Sequence, residues 1–291
     1  MSPPRWATTG PRWSYDADER NVVSAPPPRP AKRSLGQNFL VDPNIQKKIV
    51  AALGAGPADE VLEIGPGKGA LTRHLAGRVR RLVLVELDDH LALALAEEYE
   101  GRPDVAVVHA DVLETQLDAI SDAPAALNVV GNIPYNITTP IIFHLLARPR
   151  PRQIVLMVQD DLADRIVAPV GTKEYGALSV GVRTVAQVER LFKVRRGAFR
   201  PVPGVDSCIM RIRPLVPEPL SAQEEDRLRR LVRAAFQWRR KQLRKILRDH
   251  PDVARPESVV AEAARQAGFD LEDRPERLTP EQFVRLAAAL H

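Results

Sequence analysis

The segment Glu60-Val61-Leu62-Glu63-Ile64-Gly65-Pro66-Gly67-Lys68-Gly69-Ala70-Leu71-Thr72 constrains this chain more than any other. It reads as a strand, a glycine-rich turn and the start of a helix. Glycines at that point let the backbone turn tightly and approach a ligand closely. Read through Gly65, Gly67 and Ala70 it has the G-x-G-x-x-A form of a dinucleotide fingerprint. A lone glycine loop says little, so the neighbouring strands carry the argument. The next apolar run, Arg81-Leu82-Val83-Leu84-Val85, ends in Glu86. An acid about 20 residues after such a loop suits ribose hydroxyls, in a dinucleotide or in S-adenosylmethionine. A third run, Val105-Ala106-Val107-Val108-His109, leads to Asp111, whose carboxylate suits the exocyclic amine of a cofactor adenine. Any one of these acids is ordinarily a solvated helix cap. Suitable groups at all three strand ends together favour a nucleoside site.

A fourth apolar run, Ala125-Ala126-Leu127-Asn128-Val129-Val130, reads as a buried parallel strand and leads into Gly131-Asn132-Ile133-Pro134-Tyr135. In doubly wound sheets, that edge is where ligands bind. An Asn-x-Pro turn is commonplace after a strand. Here its groups also match what attack by an aromatic amine needs. The lone pair of an adenine N6 is delocalised into the ring. The Asn132 side-chain oxygen and the Pro134 carbonyl can accept its two N–H bonds and let the nitrogen pyramidalise. Pro134 has no N–H to compete. Tyr135 offers a flat face to a flipped base.

The motifs then follow one another in a familiar order. Ser34-Leu35-Gly36-Gln37-Asn38-Phe39-Leu40-Val41-Asp42 precedes the glycine loop. With Gly131-Asn132-Ile133-Pro134-Tyr135-Asn136-Ile137 it resembles the ribosomal RNA adenine N6,N6-dimethyltransferases, most closely the bacterial small-subunit (16S) enzyme. Tyr175-Gly176-Ala177-Leu178-Ser179-Val180 resembles that family's helix after the fifth strand. Phe199-Arg200-Pro201-Val202-Pro203-Gly204-Val205-Asp206-Ser207 resembles its Phe-x-Pro-x-Pro-x-Val-Asp-Ser loop. Ala235-Phe236-Gln237-Trp238-Arg239-Arg240-Lys241 and Arg274-Pro275-Glu276-Arg277-Leu278-Thr279 resemble two later segments. The resemblance runs from about residue 31 to the end. Gly204 stands where the family often has a basic residue, and Ile133 where the small-subunit enzyme more often has Leu.

The resemblance implies a Rossmann-like class I S-adenosylmethionine-dependent methyltransferase, with a seven-stranded mostly parallel sheet and a small C-terminal helical domain. It implies S-adenosylmethionine contacts by Asn38, Leu40, Gly65, Glu86, Asp111 and Asn132. It assigns Asn132 and Pro134 to N6, and Tyr135 and Phe199 to stacking on the adenine. It implies N6,N6-dimethylation of two adjacent adenines in the 3′-terminal hairpin loop of 16S rRNA, on an immature 30S subunit, by a monomer. Three other readings fit parts of the sequence: a large-subunit methyltransferase of the macrolide-resistance type, a non-catalytic ribosome-assembly or transcription factor, and a nicotinamide-dependent dehydrogenase.

Strands and helices alternate from Ala31 to about Pro214, an α/β doubly wound pattern. Residues 1–30 are punctuated by prolines, lack an apolar period and read as a disordered tail. Beyond a proline-rich joint at Pro214–Pro219, residues 215–291 read as a helical, basic RNA-binding domain. Leu228, Leu231, Val232, Ala235 and Phe236 recur at helical spacing, continued by Leu243, Ile246 and Leu247. Arg229, Arg233, Arg240, Arg244 and Arg248 fall near another face. No acid interrupts them, which favours contact with phosphates.

The net charge of +5 suits a polyanionic partner. The single cysteine, Cys208, excludes an internal disulfide and suits a reducing compartment. No apolar run spans a bilayer and no signal-peptide pattern opens the chain, so a cytoplasmic protein is expected. The six histidines are scattered, with no His-x-x-x-His or Cys-x-x-Cys spacing, so no metal site is expected.

Overall fold

The computed structural model describes residues 38–290. The tail expected over residues 1–30 and the first four residues of the Ser34–Asp42 motif lie outside them. The strands are β1 (Phe39–Leu40), β2 (Glu60–Ile64), β3 (Arg81–Glu86), β4 (Val105–His109), β5 (Asn128–Asn132), β6 (Gln153–Gln159), β7 (Ala186–Val194), β8 (Phe199–Arg200) and β9 (Ser207–Pro214). Seven of them form one sheet in the order β4-β3-β2-β5-β6-β9-β7. Only β9 runs against its neighbours. The remaining pairs are parallel. This is the seven-stranded, mostly parallel sheet that the family resemblance implies.

The central strands are buried throughout, which is why they read as near-continuous apolar runs. Successive residues still point to opposite faces. Leu62, Ile64, Val83, Val85 and Val129 enter one core cluster. Val61, Leu82, Leu84, Val130 and Val155 enter the other. Helix starts follow their capping chemistry. Asp42 accepts from Asn44 N (2.9 Å) ahead of the helix Pro43–Leu53, which ends at Gly54 in the left-handed region. Asp88 caps the helix Asp89–Glu98, as its sequence position predicts, accepting from His90 N at 3.0 Å.

One boundary differs from the sequence expectation. The strand expected from Ala125 starts at Asn128, because Pro124 opens a short 3-10 turn over Pro124–Ala126. The apolar pattern after the proline-rich joint is a helix pair, Ala222–Gln237 and Leu243–Asp249. Their apolar faces pack with the helices Glu257–Ala267 and Pro280–Ala289 in a third core cluster. Tyr175 and Val180 belong to that cluster too. Tyr175 Oη donates to the Leu278 carbonyl at 2.8 Å. The buried Arg150 guanidinium meets Glu225 at 2.7 Å, tying the first of these helices to the segment before β6. Removing one partner of such a pair leaves an uncompensated buried charge.

The register of β2 on β5 places Ile64 opposite Gly131. A Cβ on Gly131 would lie 2.9 Å from the Ile64 carbonyl oxygen and 3.1 Å from Leu156 Cδ2. The backbone oxygen cannot yield without moving the strand. Gly131→Ala is therefore expected to cost about 1–3 kcal/mol, the usual range for overpacking a core. Urea unfolding would measure it, and an unchanged midpoint would contradict this reading of the β2–β5 contact.

Candidate active site

The carboxyl ends of β2, β3 and β5 and the residue after β4 open on one cleft of about 310 Å³. Its lining includes Asn38, Leu40, Gly65, Glu86, Asp111, Asn132, Pro134 and Tyr135. Residues drawn from five separated stretches of sequence thus meet at the strand-order reversal, as the switch-point rule requires.

The glycine turn forms one wall. Gly65 and Gly67 have φ of +62° and +58°, where a side chain is strained. A Cβ on Gly67 would also meet the Phe39 ring at 3.3 Å. Lys68 Nζ stands 4.8 Å from the centre of that ring. Leu40, half of the β1 pair, accepts from Gln46 Nε2 through its carbonyl at 2.9 Å.

Glu86, at the end of β3, is almost fully buried. Its carboxylate accepts from Gly67 N at 2.9 Å and from Leu87 N and Asp88 N at 3.0 Å. Burial pushes its pKa up, against the pull of those three N–H groups. Asp111 accepts from Leu113 N at 2.9 Å through one oxygen. The other has no partner among the described residues.

The Asn132–Tyr135 wall is partly preset. Asn132 Nδ2 donates to the Asn38 carbonyl at 3.3 Å. That leaves Oδ1 as the end of the amide available to an incoming donor. The Pro134 carbonyl is not a free acceptor in this structure. It receives Thr138 Oγ1 at 3.2 Å and Ile137 N at 3.3 Å, and a carbonyl has two lone pairs. Tyr135 is half-buried, and burial raises its pKa, so its hydroxyl stays protonated. That hydroxyl shares a 2.7 Å hydrogen bond with Ser207 Oγ.

Phe199 does not join them. It is 0% exposed and packs in the cluster that holds Leu40, Val130 and Ile209. Its pairing with Leu40 across β1–β8 and the alternation of the strand send Phe199 inward and Arg200 outward. Of the two rings expected to stack on the adenine, only Tyr135 lines the cleft.

The arginine-rich helices also need correction. Arg244 pairs with Glu257 and, at 3.2 Å, with Glu272. Arg248 pairs with Asp249 at 2.7 Å. Acids from distant segments, and Asp249 just beyond Arg248, neutralise this end of the cluster. Arg229, Arg233 and Arg240 have no ion-pair partner among the described residues. No group of three or more His, Cys, Asp or Glu among the described residues is placed to hold a metal ion. No helix among them is long and apolar enough to cross a membrane.

The sequence pattern assigned no role to Glu63, yet it lines the cleft at 2% exposure. The only signal is an acid between apolar residues of β2, Leu62 and Ile64. Burial pushes its pKa up to about 7, opposed by hydrogen bonding to Thr72, whose Oγ1 donates to it at 2.8 Å. The folded protein therefore holds a proton that the unfolded chain releases near pH 4.5. Its stabilising contribution is full below that pH and is lost as pH rises through about 7, on the order of 3 kcal/mol in all. Glu63→Gln should flatten this part of the stability–pH curve. Urea unfolding of both proteins between roughly pH 4.5 and 8 would show it; parallel curves would mean that Glu63 titrates normally.

The chain matches the family described as ribosomal RNA adenine dimethylase over residues 29–290. It is 46% identical over 214 residues to a protein of Chlorobium chlorochromatii named ribosomal RNA small subunit methyltransferase A, covering 73% of this chain and 80% of that one. A protein of the same name from Pseudomonas fluorescens is 41% identical over 261 residues, covering 89% and 94%. Among solved structures, a dimethyladenosine transferase from Plasmodium falciparum superposes with a TM-score of 0.69 at 27% identity, covering 85% of this chain and 95% of that one. The 23S rRNA methyltransferase ErmE superposes with a TM-score of 0.65 at 32% identity, covering 87% and 99%. By the span of the family match and the identity to these relatives, the chain belongs to the ribosomal RNA adenine dimethylase family.

Proposed function

We propose that this protein transfers methyl groups from S-adenosylmethionine to N6 of two adjacent adenines in the 3′-terminal hairpin loop of 16S rRNA, on the immature small subunit in the cytoplasm, giving N6,N6-dimethyladenine. The observation that carries the reading is the Asn132 amide. It stands on the cleft wall with Nδ2 engaged by Asn38 and Oδ1 open. The family match and the small-subunit names of its relatives support the substrate.

The cleft's donor set suits the cofactor. Glu86 and Asp111 offer carboxylate oxygens at neighbouring strand ends, for ribose hydroxyls and for an adenine amine. Gly65 keeps a side chain out of the wall between them and Asn132. The volume of about 310 Å³ lies at the small end of ligand sites, which run from about 300 to 1,000 Å³. When bound, S-adenosylmethionine supplies an electrophilic methyl on a sulfonium.

The protein's own work is alignment. Asn132 Oδ1 accepts one N6–H and draws the nitrogen lone pair out of conjugation. The Pro134 carbonyl takes the second N–H once Thr138 or Ile137 yields its long hydrogen bond. Tyr135 holds the base by its face, and base–aromatic stacking is worth about 1–3 kcal/mol. Attack makes N6 cationic and acidic, so its proton can pass to solvent. Positioning of this kind contributes most of the rate. Away from the cleft, Arg229, Arg233 and Arg240 take backbone phosphates, which set the register of the RNA without reading its sequence.

The decisive experiment is methyl transfer from labelled S-adenosylmethionine to unmethylated small and large ribosomal subunits, with nucleoside mass analysis. Dimethyladenine on the small subunit alone is expected. Label on the large subunit alone, as the likeness to ErmE would allow, would overturn the assignment. Asn132→Ala should lower turnover by about a hundredfold, the usual cost of deleting one preorganised polar contact at a reacting centre. Single-turnover kinetics would measure it, and full turnover would remove Asn132 from the mechanism.

A further inference from the structure

Tyr135 stands on the short 3-10 turn Tyr135–Ile137, which buries none of its own side chains and has no side-chain cap. The turn alone therefore does not set the angle of the ring. The one side-chain hydrogen bond that Tyr135 makes among the described residues reaches 72 positions along the chain to Ser207, at 2.7 Å. Ser207 is a rigid anchor. It is fully buried and opens β9 between two strands, opposite Gln159 on β6 and Val194 on β7. The residue before it is held as firmly. The Asp206 carboxylate accepts from Arg196 N at 3.0 Å and meets Lys193 Nζ at 3.2 Å, and its carbonyl accepts from Asp160 N at 3.1 Å.

A tyrosine held only at Cα turns about two side-chain torsions. A hydrogen bond at the far end of the ring fixes where the hydroxyl stands, which removes the first of these freedoms and sets the direction of the ring axis along the cleft wall. We propose that Ser207 is a positioning residue for methyl transfer, its hydroxyl holding the Tyr135 ring at the angle at which the target adenine stacks. This rests on the reading of Tyr135 as the stacking face for adenine. The last residue of the Phe199–Ser207 loop thereby acts on the base through Tyr135, while its first residue, Phe199, faces the core. A misplacement of about 1 Å at a reacting group can cost a hundredfold in rate.

A bond that only satisfied a half-buried hydroxyl would affect stability and leave turnover alone. The test separates the two roles with Ser207→Ala, Ser207→Thr, Tyr135→Phe and the Ser207→Ala/Tyr135→Phe double variant. Each is assayed for methyl transfer to unmethylated small subunits at saturating substrate, for S-adenosylmethionine affinity and for melting temperature. Ser207→Ala and Tyr135→Phe should each lower kcat by roughly tenfold or more, with cofactor affinity unchanged. The double variant should be no worse than either single one, because both break the same bond. Ser207→Thr, which keeps the hydroxyl, should restore most of the rate. Wild-type kcat in Ser207→Ala, or losses that multiply in the double variant, would overturn the proposal. If Ser207→Ala fails to fold, Tyr135→Phe decides alone, since it breaks the bond from the other side. Wild-type protein that methylates neither subunit would overturn the functional reading and this proposal together. Wild-type activity matched by the variants would overturn only the role of Ser207.

Discussion

The site depends on how closely β2 and β5 lie at their carboxyl ends. Ile64 pairs with Gly131, and one residue further β2 gives way to Gly65 while β5 runs on through Asn132, still paired with β6. In the order β3-β2-β5 the chain leaves β2 for one half of the sheet and enters β5 in the other. Loops that part in opposite directions leave a crevice between them. No side chain fits at Gly131 against the Ile64 carbonyl, and no side chain stands at Gly65 to block the crevice. Two glycines on adjacent strands thus set the distance between the cofactor wall and the Asn-Ile-Pro-Tyr wall.

That crevice holds two buried carboxylates with different partners. Glu86 is surrounded by three backbone N–H groups, which partly offset its lost hydration. Glu63 has one threonine hydroxyl, and burial dominates. Hydrogen bonds to the charged form and desolvation act in opposite directions on the same group. Burial raises both groups, against three backbone N–H donors at Glu86 and the Thr72 donors at Glu63.

Much of this was legible in the residues, because motif chemistry is local. The glycine turn, the acids after β3 and β4 and the Asn-Ile-Pro-Tyr turn each follow a strand that reads as an apolar run. The doubly wound pattern brings strand ends together, so all of them face one cleft. What escaped was set by contacts distant in sequence. Phe199 sits beside exposed loop residues, and only its pairing with Leu40 sends it into the core. The run of arginines from Arg227 to Arg248 contains no acid, yet Glu257 and Glu272 reach Arg244 from other segments. Glu63 has the spacing of any strand residue, and its contact with Thr72 of the helix after the glycine turn shows only in the fold. The Pro134 carbonyl is the local exception: Ile137 and Thr138, three and four residues on, turn back and occupy it.

The preset parts of the site are unequal, and the inequality has a chemical logic. Asn132 is committed before substrate arrives, since Asn38 holds its amide nitrogen and exposes its oxygen. Tyr135 is committed at the far end of its ring by Ser207. The Pro134 carbonyl is shared between two donors at 3.2 and 3.3 Å, both near the long limit of useful hydrogen bonds. An N6–H that gains positive character during attack is a stronger donor than a threonine hydroxyl or a ground-state amide. It displaces them most readily when charge has developed on N6. An acceptor won late in this way stabilises the transition state more than the bound adenine, which is the condition for raising turnover over mere binding. In the proposed mechanism the two committed groups place the base, and the contested one adds its contact as the nitrogen changes hybridisation.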